Sequence, residues 1–241
     1  MSDSSFTGPT YDQIWSGGWD DMRRYGPMAR HTRRLIRAMT AGLTPKSILD
    51  VGCGEGSLLV ALAQAHPGAA LAGVEISENA VALAKRGLPG ADISQLDVAR
   101  ARLPGTFDLV VSADVVEHIA DDQTALQNMT AMCAPGGAVV IATLQGRMRR
   151  FEAGIGHMRN YAQGELAAKM AAAGLVIDKK IEWGFPFYSP LYRDLLEAIG
   201  NQGTMGAFGP GKKLLSHLIY TVFLLNSAGT GDYIFLRGRK T

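Results

Sequence analysis

Short apolar runs alternate along the chain with segments of helical periodicity. The apolar runs predict strands at residues 48–51, 70–76, 91–96, 107–112, 138–143, 175–183 and 232–236. The segments between them predict helices at residues 57–63, 77–86, 122–132 and 163–173. Because strands that alternate with helices are typical of a sheet covered on both faces, the pattern predicts a doubly wound α/β fold.

Two helices are predicted before the first strand. Residues 11–25 carry apolar side chains three and four positions apart, which places them on one helix face: Tyr11, Ile14, Trp15, Trp19 and Met22. This face either packs on the core or forms a lid over a binding site. Gly26-Pro27 ends that helix, and residues 28–42 predict a second one. Its arginines are expected to form a solvated face: Arg30, Arg33, Arg34 and Arg37.

The stretch between the last two predicted strands is much longer than a hairpin requires. It contains a predicted helix near residues 191–199, a glycine-rich loop at 200–211 and an apolar segment at 214–225. The apolar segment is too short to span a bilayer. Because it is apolar nearly all round, we expect a buried helix, or else a helix that contacts a partner or a membrane surface.

Composition narrows the classes of partner. The 241 residues fit one α/β domain with an appendage, and the net charge of +2 indicates no strongly charged partner. No basic stripe with interleaved aromatic residues is present, so no nucleic-acid partner is expected. Two cysteines, Cys53 and Cys133, are too few for a disulfide framework. Together with a polar N-terminus that lacks a signal-peptide pattern, they predict a cytoplasmic protein.

The candidate chemistry centres on residues 50–56, Asp-Val-Gly-Cys-Gly-Glu-Gly, after the first predicted strand. A glycine turn between a strand and a helix brings backbone N–H groups close to a nucleotide-like ligand. The spacing is G-x-G-x-G, not the G-x-G-x-x-G of dinucleotide folds. Asp50 would repel a pyrophosphate but suits a cationic ligand, whereas Cys53 is interpreted as a small turn residue.

Further polar residues follow the next strands. Glu75 ends the second strand about 20 residues after the glycines, where a carboxylate can accept hydrogen bonds from two ribose hydroxyls. Asp97 and Val98 follow the third strand, and Ser112 ends the fourth. Because ligands of doubly wound sheets bind beyond the carboxyl ends of the strands, we expect these residues to surround one site.

Residues 50–56 resemble motif I of the class I S-adenosylmethionine-dependent methyltransferases. Phe-Asp-Leu-Val-Val at 107–111, Val-Val-Glu-His-Ile at 115–119 and Ala-Pro-Gly-Gly at 134–137 resemble the same family, in the same order. The resemblance covers residues 11–183 and the last strand, and it is to members that methylate small molecules, including those of the ubiquinone pathway. It implies a Rossmann-like, seven-stranded sheet whose last strand lies antiparallel beside the sixth.

The resemblance also implies a division of the chain and a cofactor. Lid helices would occupy residues 1–45, the core 46–183 and 230–241, and a helical cap for the acceptor 184–229. In the family an acidic residue at the position of Asp97 accepts a hydrogen bond from adenine, and an apolar neighbour such as Val98 covers the ring. The residues expected to hold S-adenosylmethionine are Asp50, Gly52, Cys53, Gly54, Gly56, Glu75, Ile76, Asp97, Val98, Ser112, Tyr11 and Trp19.

The implied reaction is methyl transfer to a small molecule. We expect an O-acceptor from a lipid, quinone, sugar or natural-product pathway, and the apolar cap favours a partly apolar one. A hydroxyl acceptor must lose a proton. The candidates for this step are His157, His118 and Asp114, and Tyr161 could hydrogen-bond the acceptor.

Several alternatives stay open. Asp114, Glu117, His118 and His157 resemble the Glu-x-x-Glu-His…His metal site of ubiquinone-pathway and small-RNA O-methyltransferases, although aspartate replaces the first glutamate. Such a set could hold a divalent ion, yet the Glu-His pair also occurs in members without metal. The other functional alternatives are N- or C-methylation, a non-catalytic S-adenosylmethionine-binding protein and a nucleotide-dependent oxidoreductase.

Overall fold

The computed structural model describes Asp12, Trp15, residues 20–199 and residues 206–241. Most of the first predicted helix, with Tyr11 and Trp19, lies outside the described residues. So does the part of the glycine-rich loop at residues 200–205.

The described residues form one seven-stranded sheet in the order β3-β2-β1-β4-β5-β7-β6. Its strands are β1 (Ser47–Val51), β2 (Ala70–Glu75), β3 (Asp92–Gln95), β4 (Phe107–Ala113), β5 (Cys133–Leu144), β6 (Leu175–Trp183) and β7 (Tyr233–Lys240). The first five strands run parallel, and β7 enters antiparallel between β5 and β6. The predicted doubly wound α/β fold and the antiparallel last strand are confirmed.

Helices cover both faces of this sheet. They are α1 (Asp20–Tyr25), α2 (Pro27–Thr40), α3 (Ser57–Ala65), α4 (Glu78–Gly87), α5 (Asp122–Ala131), α6 (Arg150–Gly154), α7 (Glu165–Ala172), α8 (Arg193–Ile199) and α9 (Pro210–Phe223). Helices α2, α3 and α4 share one hydrophobic core with the sheet, and α5 and α7 share the other. Strand β5 supplies both cores because alternate side chains point to opposite faces: Val140 joins the first and Ile141 the second.

Strand β5 begins earlier than the sequence predicts. Pro135-Gly136-Gly137, which precede the predicted strand at 138–143, lie within the observed strand, because Cys133 already pairs with Phe107 of β4. The register shifts before Leu109 pairs with Ala138, so the turn residues form an irregularity inside one strand.

Helices α8 and α9 lie in the insertion between β6 and β7, where the sequence predicts a helical cap. Of the two alternatives for residues 214–225, the buried helix is wrong. Leu214, Leu218 and Leu225 are 62%, 55% and 71% exposed, whereas the buried face of α9 carries Ser216 and Phe223. That face contacts α1 and α2, so the opposite apolar face is left toward solvent. None of the helices that the structure describes is long and apolar enough to cross a membrane.

Charged side chains anchor the insertion to the rest of the molecule. The Arg193 guanidinium at the start of α8 is fully buried and lies 2.6 Å from Glu152 of α6 and 2.5 Å from Asp232, just before β7. The second carboxylate oxygen of Glu152 accepts hydrogen bonds from the Arg149 N–H and from the side chain of Asn160. One buried arginine therefore connects the insertion, helix α6 and the last strand.

We expect Arg193→Met to destabilise the fold by about 3–5 kcal/mol, because it leaves the buried Glu152 carboxylate without its partner. The matched control is Arg150→Met. Arg150 also pairs with a glutamate, Glu197, but its side chain is 87% exposed. An exposed pair contributes at most about 1 kcal/mol. Urea unfolding of both variants measures the difference, and equal small losses would show that Arg193 does not anchor the insertion.

Candidate functional site

A cavity of about 780 Å³ opens beyond the carboxyl ends of β1 to β4. The sheet side contributes Gly52, Glu75 and Asp97, from the ends of three neighbouring strands. The opposite wall comes from the N-terminal segment and from the residues after β5. It includes Trp15, Met22, Arg23, Met28, Phe151, Glu152, Ile155, His157, Met158 and Tyr188. The topology therefore brings eight of the predicted site residues to one cavity: Gly52, Glu75, Ile76, Asp97, Val98, Asp114, His118 and His157.

The glycine turn serves packing more than backbone donation to a ligand. Gly52 and Gly54 have φ of 75° and 53°, where residues with a side chain are strained. A Cβ on Gly52 would lie 2.3 Å from Val115, and one on Gly54 would lie 2.8 Å from the Trp15 ring. Gly56 has a similar backbone and packs against Leu88.

The backbone N–H groups of this turn are already used. The N–H groups of Gly52 and Cys53 both donate to the Val74 carbonyl, that of Gly54 donates to Glu75, and that of Gly56 donates to Cys53. Four of the five N–H groups of residues 52–56 thus have partners within the described chain. Dinucleotide folds bind pyrophosphate through such donors, so their occupation disfavours that class of ligand.

Asp50 is an unpartnered acidic group behind the turn. Its side chain is buried, and neither carboxyl oxygen has a hydrogen-bond partner among the described residues. Burial, reinforced by the nearby Glu75 and Glu55 carboxylates, raises the pKa of Asp50 to about 8, although Arg23 opposes the shift. A buried carboxyl without a donor favours the approach of a cation, which would lower its pKa again.

Glu75 and Asp97 present carboxylates at the ends of β2 and beyond β3. One Glu75 oxygen accepts from the Gly54 N–H at 3.0 Å and the other from the Ile76 N–H at 2.8 Å, which orients the group at the cavity wall. Burial raises the pKa of Glu75 despite these hydrogen bonds. Asp97 accepts from the Ala99 N–H at 3.0 Å, and Ile76 and Val98 line the cavity beside the two acids.

Arg23 of α1 is a cavity residue that the sequence reasoning missed. Its guanidinium lies 3.8 Å from Glu55 and 3.8 Å from Asp114. Burial by itself would lower the pKa of Arg23, but the surrounding carboxylates outweigh burial and raise it. Arg23 lies four positions after Trp19, on the predicted apolar face. A charge on such a face is the signal that could have identified it.

His118 and His157 form a close pair with Glu117. The two imidazole rings lie 4.7 Å apart, edge to face, and ligand atoms of all three residues lie within 4.8 Å of one another. Burial lowers the pKa of both histidines. Burial also raises the pKa of Glu117 to about 7, although one of its oxygens accepts from Thr143 at 2.8 Å.

Asp114 lines the cavity but does not join this group. It has φ of 58°, accepts a hydrogen bond from the Tyr233 hydroxyl at 2.5 Å and faces Arg23. The predicted four-residue metal set is therefore wrong in Asp114, because the backbone turns its carboxylate toward Tyr233. Glu117, His118 and His157 are the group within the described chain that could hold an ion.

Three other predicted site residues lie behind the cavity wall. The Tyr161 hydroxyl donates to Asp122 at 2.9 Å, and the side chain is fully buried in the core, so we do not retain it as a catalytic candidate. The Ser112 hydroxyl donates to the Val51 carbonyl and joins β4 to β1. Cys53 is buried against Gly73, and burial strongly raises the pKa of its thiol.

The methyltransferase domain model matches residues 49–139. Residues 49–139 therefore carry a methyltransferase domain. The matched residues include the Asp50, Glu75 and Asp97 positions and the Glu117-His118 pair. His157 and the insertion lie beyond the matched part of the methyltransferase domain.

Curated relatives match about half of the chain. The chain is 36% identical over 116 residues to the ubiquinone biosynthesis O-methyltransferase of Azoarcus sp., covering 46% of this chain and 49% of the relative. It is 33% identical over 136 residues to the protein of the same name from Pseudomonas paraeruginosa, covering 52% and 57%. The chain thus spans about half the length of these relatives.

Solved structures support the fold of the methyltransferase domain over nearly the whole chain. The N-methyltransferase NodS from Bradyrhizobium japonicum, solved with S-adenosyl-L-homocysteine, has a TM-score of 0.65 at 16% identity and covers 97% of each chain. The [4+2]-cyclase SpnF has a TM-score of 0.63 at 20% identity and covers 98% of this chain and 97% of its own. These likenesses show the architecture, which two different activities share.

Proposed function

We propose that the protein transfers a methyl group from S-adenosylmethionine to the oxygen of a small-molecule acceptor. The proposal rests on the row of carboxyl groups at the ends of β1, β2 and β3, around the cavity. The four described N–H groups of the glycine turn already have partners, so none of the four is free to bind a ligand. Such a row suits a ligand that is cationic and carries a nucleoside, and it disfavours a pyrophosphate.

Each end of the cofactor has a proposed partner. Glu75 accepts hydrogen bonds from the ribose hydroxyls, and Asp97 accepts from the adenine amino group beside Val98. Asp50 attracts the positively charged sulfonium and amino groups through the buried turn. Arg23 pairs with the carboxylate of the methionine end. Trp15 covers the site from the N-terminal side, as proposed for the lid at residues 1–45.

We place the acceptor between helix α6 and the insertion, for which residues 184–229 are the proposed cap. This part of the cavity is lined by Phe151, Ile155, Met158 and Tyr188, so it suits a partly apolar molecule. The relatives named above are, by their names, O-methyltransferases of ubiquinone biosynthesis. That naming and the apolar lining favour an O-acceptor from a lipid, quinone or natural-product pathway over an N- or C-acceptor.

The histidine pair supplies the proton acceptor in this proposal. A histidine whose pKa is lowered by burial is neutral at pH 7 and can take a proton from a hydroxyl. His157 is the proposed base, and His118 lies beside it at the cavity wall. The His157 ring is oriented by a hydrogen bond to Asn160, whose side chain also donates to Glu152. The oxygen then attacks the sulfonium methyl in line, and S-adenosylhomocysteine leaves.

A divalent ion is a less favoured addition to this proposal. Glu117, His118 and His157 would hold it, since one carboxylate oxygen of Glu117 is buried without a hydrogen-bond partner among the described residues. Such an ion would lower the pKa of an acceptor hydroxyl. The alternative of a non-catalytic cofactor-binding protein keeps the same cofactor contacts and differs only in lacking turnover.

Calorimetric titration tests the cofactor site. We expect the protein to bind S-adenosylhomocysteine and not NAD. Glu75→Gln should weaken binding by about tenfold or more, because charge-assisted hydrogen bonds to ribose are lost. Asp108→Asn, at the opposite end of the sheet, is the matched control. Binding of NAD in preference to S-adenosylhomocysteine would reject the proposed cofactor.

Proton release tests the role of Asp50. With a pKa of about 8, Asp50 is mostly protonated at pH 7 in the free protein. A bound cation favours the carboxylate, so ligand binding should release a proton below pH 8, and affinity should rise as the pH increases toward 8. Calorimetry in buffers of different ionisation enthalpy measures the release. Asp50→Asn should abolish it, and unchanged release in that variant would contradict the assignment.

The pH profile of turnover tests the histidine base. Because burial lowers the pKa of His157, kcat measured at saturating S-adenosylmethionine should fall only below pH 6.5 and stay level at neutral pH. His157→Asn should reduce kcat by about 10² to 10⁴-fold without weakening cofactor binding. The same assay with and without a chelator distinguishes a histidine base that acts alone from a metal-assisted mechanism. A loss of activity with chelator would favour the metal-assisted mechanism.

A further inference from the structure

A groove of about 810 Å³ runs along the polar side of helix α2 and is strongly basic. Its lining includes five arginines, and no carboxylate of the described chain lines it: Arg24, Arg30, Arg33, Arg34 and Arg37. The carboxyl ends of α2 and α3 and the Tyr220 side chain of α9 complete its walls. We call this groove the arginine groove.

Four of these arginines crowd one face of α2. Arg30, Arg34 and Arg37 are four and three positions apart, and Arg33 lies four positions before Arg37. Like charges at these spacings repel each other and destabilise a helix. A helix face that carries such repulsion is a local conflict of the kind found at functional sites, where a ligand of opposite charge relieves it.

Neutral groups hold the guanidinium groups in place. Arg33 donates to a backbone carbonyl of α1 at 2.7 Å, and Arg34 donates to the His31 ring at 3.2 Å. The Arg30 guanidinium lies 3.7 Å from the centroid of the Tyr220 ring. None of these described partners carries a negative charge, so the contacts orient the arginines without neutralising them.

Nearby titratable groups respond to this positive charge. Burial and the charges of Arg34 and Arg30 lower the pKa of His31 to about 4. Burial and the charge of Arg37 also lower the pKa of His66, a residue of the groove wall. The two helices that end at the groove each contribute only about half a negative charge, against five full positive charges. The groove therefore keeps a positive potential that an anion can neutralise.

We propose that the arginine groove binds a free oligophosphate anion, a short chain of linked phosphate groups. The row from Arg30 to Arg37 extends about 10 Å along the helix axis, since each residue adds about 1.5 Å. Linked phosphates place several negative charges within such a length, and the guanidinium fork pairs with phosphate oxygens through two hydrogen bonds. The proposal goes beyond methyl transfer and does not depend on it, because none of the five arginines lines the cofactor cavity.

The shape of the groove favours a small ligand over a lipid surface or a nucleic acid. Its volume of about 810 Å³ falls within the range of small-molecule sites. His66 lines the groove but is only 9% exposed, so a flat bilayer would not reach this wall. The Tyr220 ring stacks with His31 at 4.3 Å as well as with Arg30, so it offers no platform for a nucleobase.

Calorimetric titration of the full chain with inorganic tripolyphosphate tests the proposal. We expect one anion to bind per chain, and orthophosphate to bind about tenfold or more weakly because it contacts fewer arginines. Raised salt should weaken the affinity for tripolyphosphate, since it screens the arginines. Absence of tripolyphosphate binding at low salt, or several equal sites per chain, would overturn the proposal.

A double variant locates the bound anion. Arg34→Gln with Arg37→Gln removes two charges from the groove and should weaken tripolyphosphate binding by about tenfold or more. The matched control is Arg86→Gln with Arg102→Gln, which removes the same charge from two exposed arginines, one in α4 and one in the loop after β3. Wild-type affinity in the groove variant, or an equal loss in the control, would overturn the proposal.

Thermal unfolding distinguishes a lost site from a lost fold. Without ligand, the groove variant should unfold at or above the wild-type midpoint, because two like charges have been removed from one helix face. Tripolyphosphate should raise the midpoint of the wild type and of the control, but not that of the groove variant. An equal rise in all three proteins would place the anion elsewhere and overturn the proposal.

Two competitors separate a free oligophosphate from other sources of phosphate. At equal phosphate concentration, phosphatidylglycerol vesicles and a single-stranded oligonucleotide should leave tripolyphosphate bound. Displacement by the vesicles would assign the groove to lipid headgroups, displacement by the oligonucleotide would assign it to nucleic acid, and either result would overturn the proposal. Failure of S-adenosylhomocysteine to bind the wild type would reject the proposed function and leave the tripolyphosphate result intact.

Discussion

The cavity at the carboxyl ends of the strands depends on one constraint, which is the burial of the Asp50 carboxyl group. A carboxyl group without a hydrogen-bond donor in a low-dielectric site either keeps its proton or acquires a positive neighbour. The Gly52 turn places this group behind the cavity floor, and Arg23 places a guanidinium across from it. Glu75 is close enough to add to the raised pKa. In the proposed function, Asp50 therefore favours a cationic ligand group and Arg23 an anionic one, so the charge of the ligand decides binding together with its shape.

The acceptor side depends on a different charge, the buried Arg193. It holds helix α6, the insertion and the residue before β7 in one arrangement, through Glu152 and Asp232. Glu152 in turn contacts Asn160, and Asn160 contacts His157. The position of the proposed base therefore follows from an ion pair that lies outside the part of the chain matched by the methyltransferase domain model. This is a physical reason why two proteins with the same core can differ in what they methylate.

The surface of α9 reflects the same division between core and insertion. Its inner face packs against α1 and α2, while its outer face carries exposed leucines. A separate groove that meets the helix at Tyr220 is lined by five arginines. The net charge of +2 gave no indication of a charged surface, because the acidic residues lie elsewhere and cancel the sum. A local concentration of charge is a property of the folded surface, and composition averages it away.

By itself the sequence determined the sheet, the approximate positions of its strands and the cluster of acidic residues at the strand ends, because apolar periodicity and the glycine turn are local signals. Strand β6 begins and ends at the predicted residues, 175 and 183. Tertiary structure alone decided which side chains reach the cavity. The backbone at Asp114 turns its carboxylate to Tyr233, Tyr161 packs inward to Asp122, and Arg23 crosses from α1 to face the turn. These outcomes depend on contacts between residues far apart in the chain, and no local pattern encodes them.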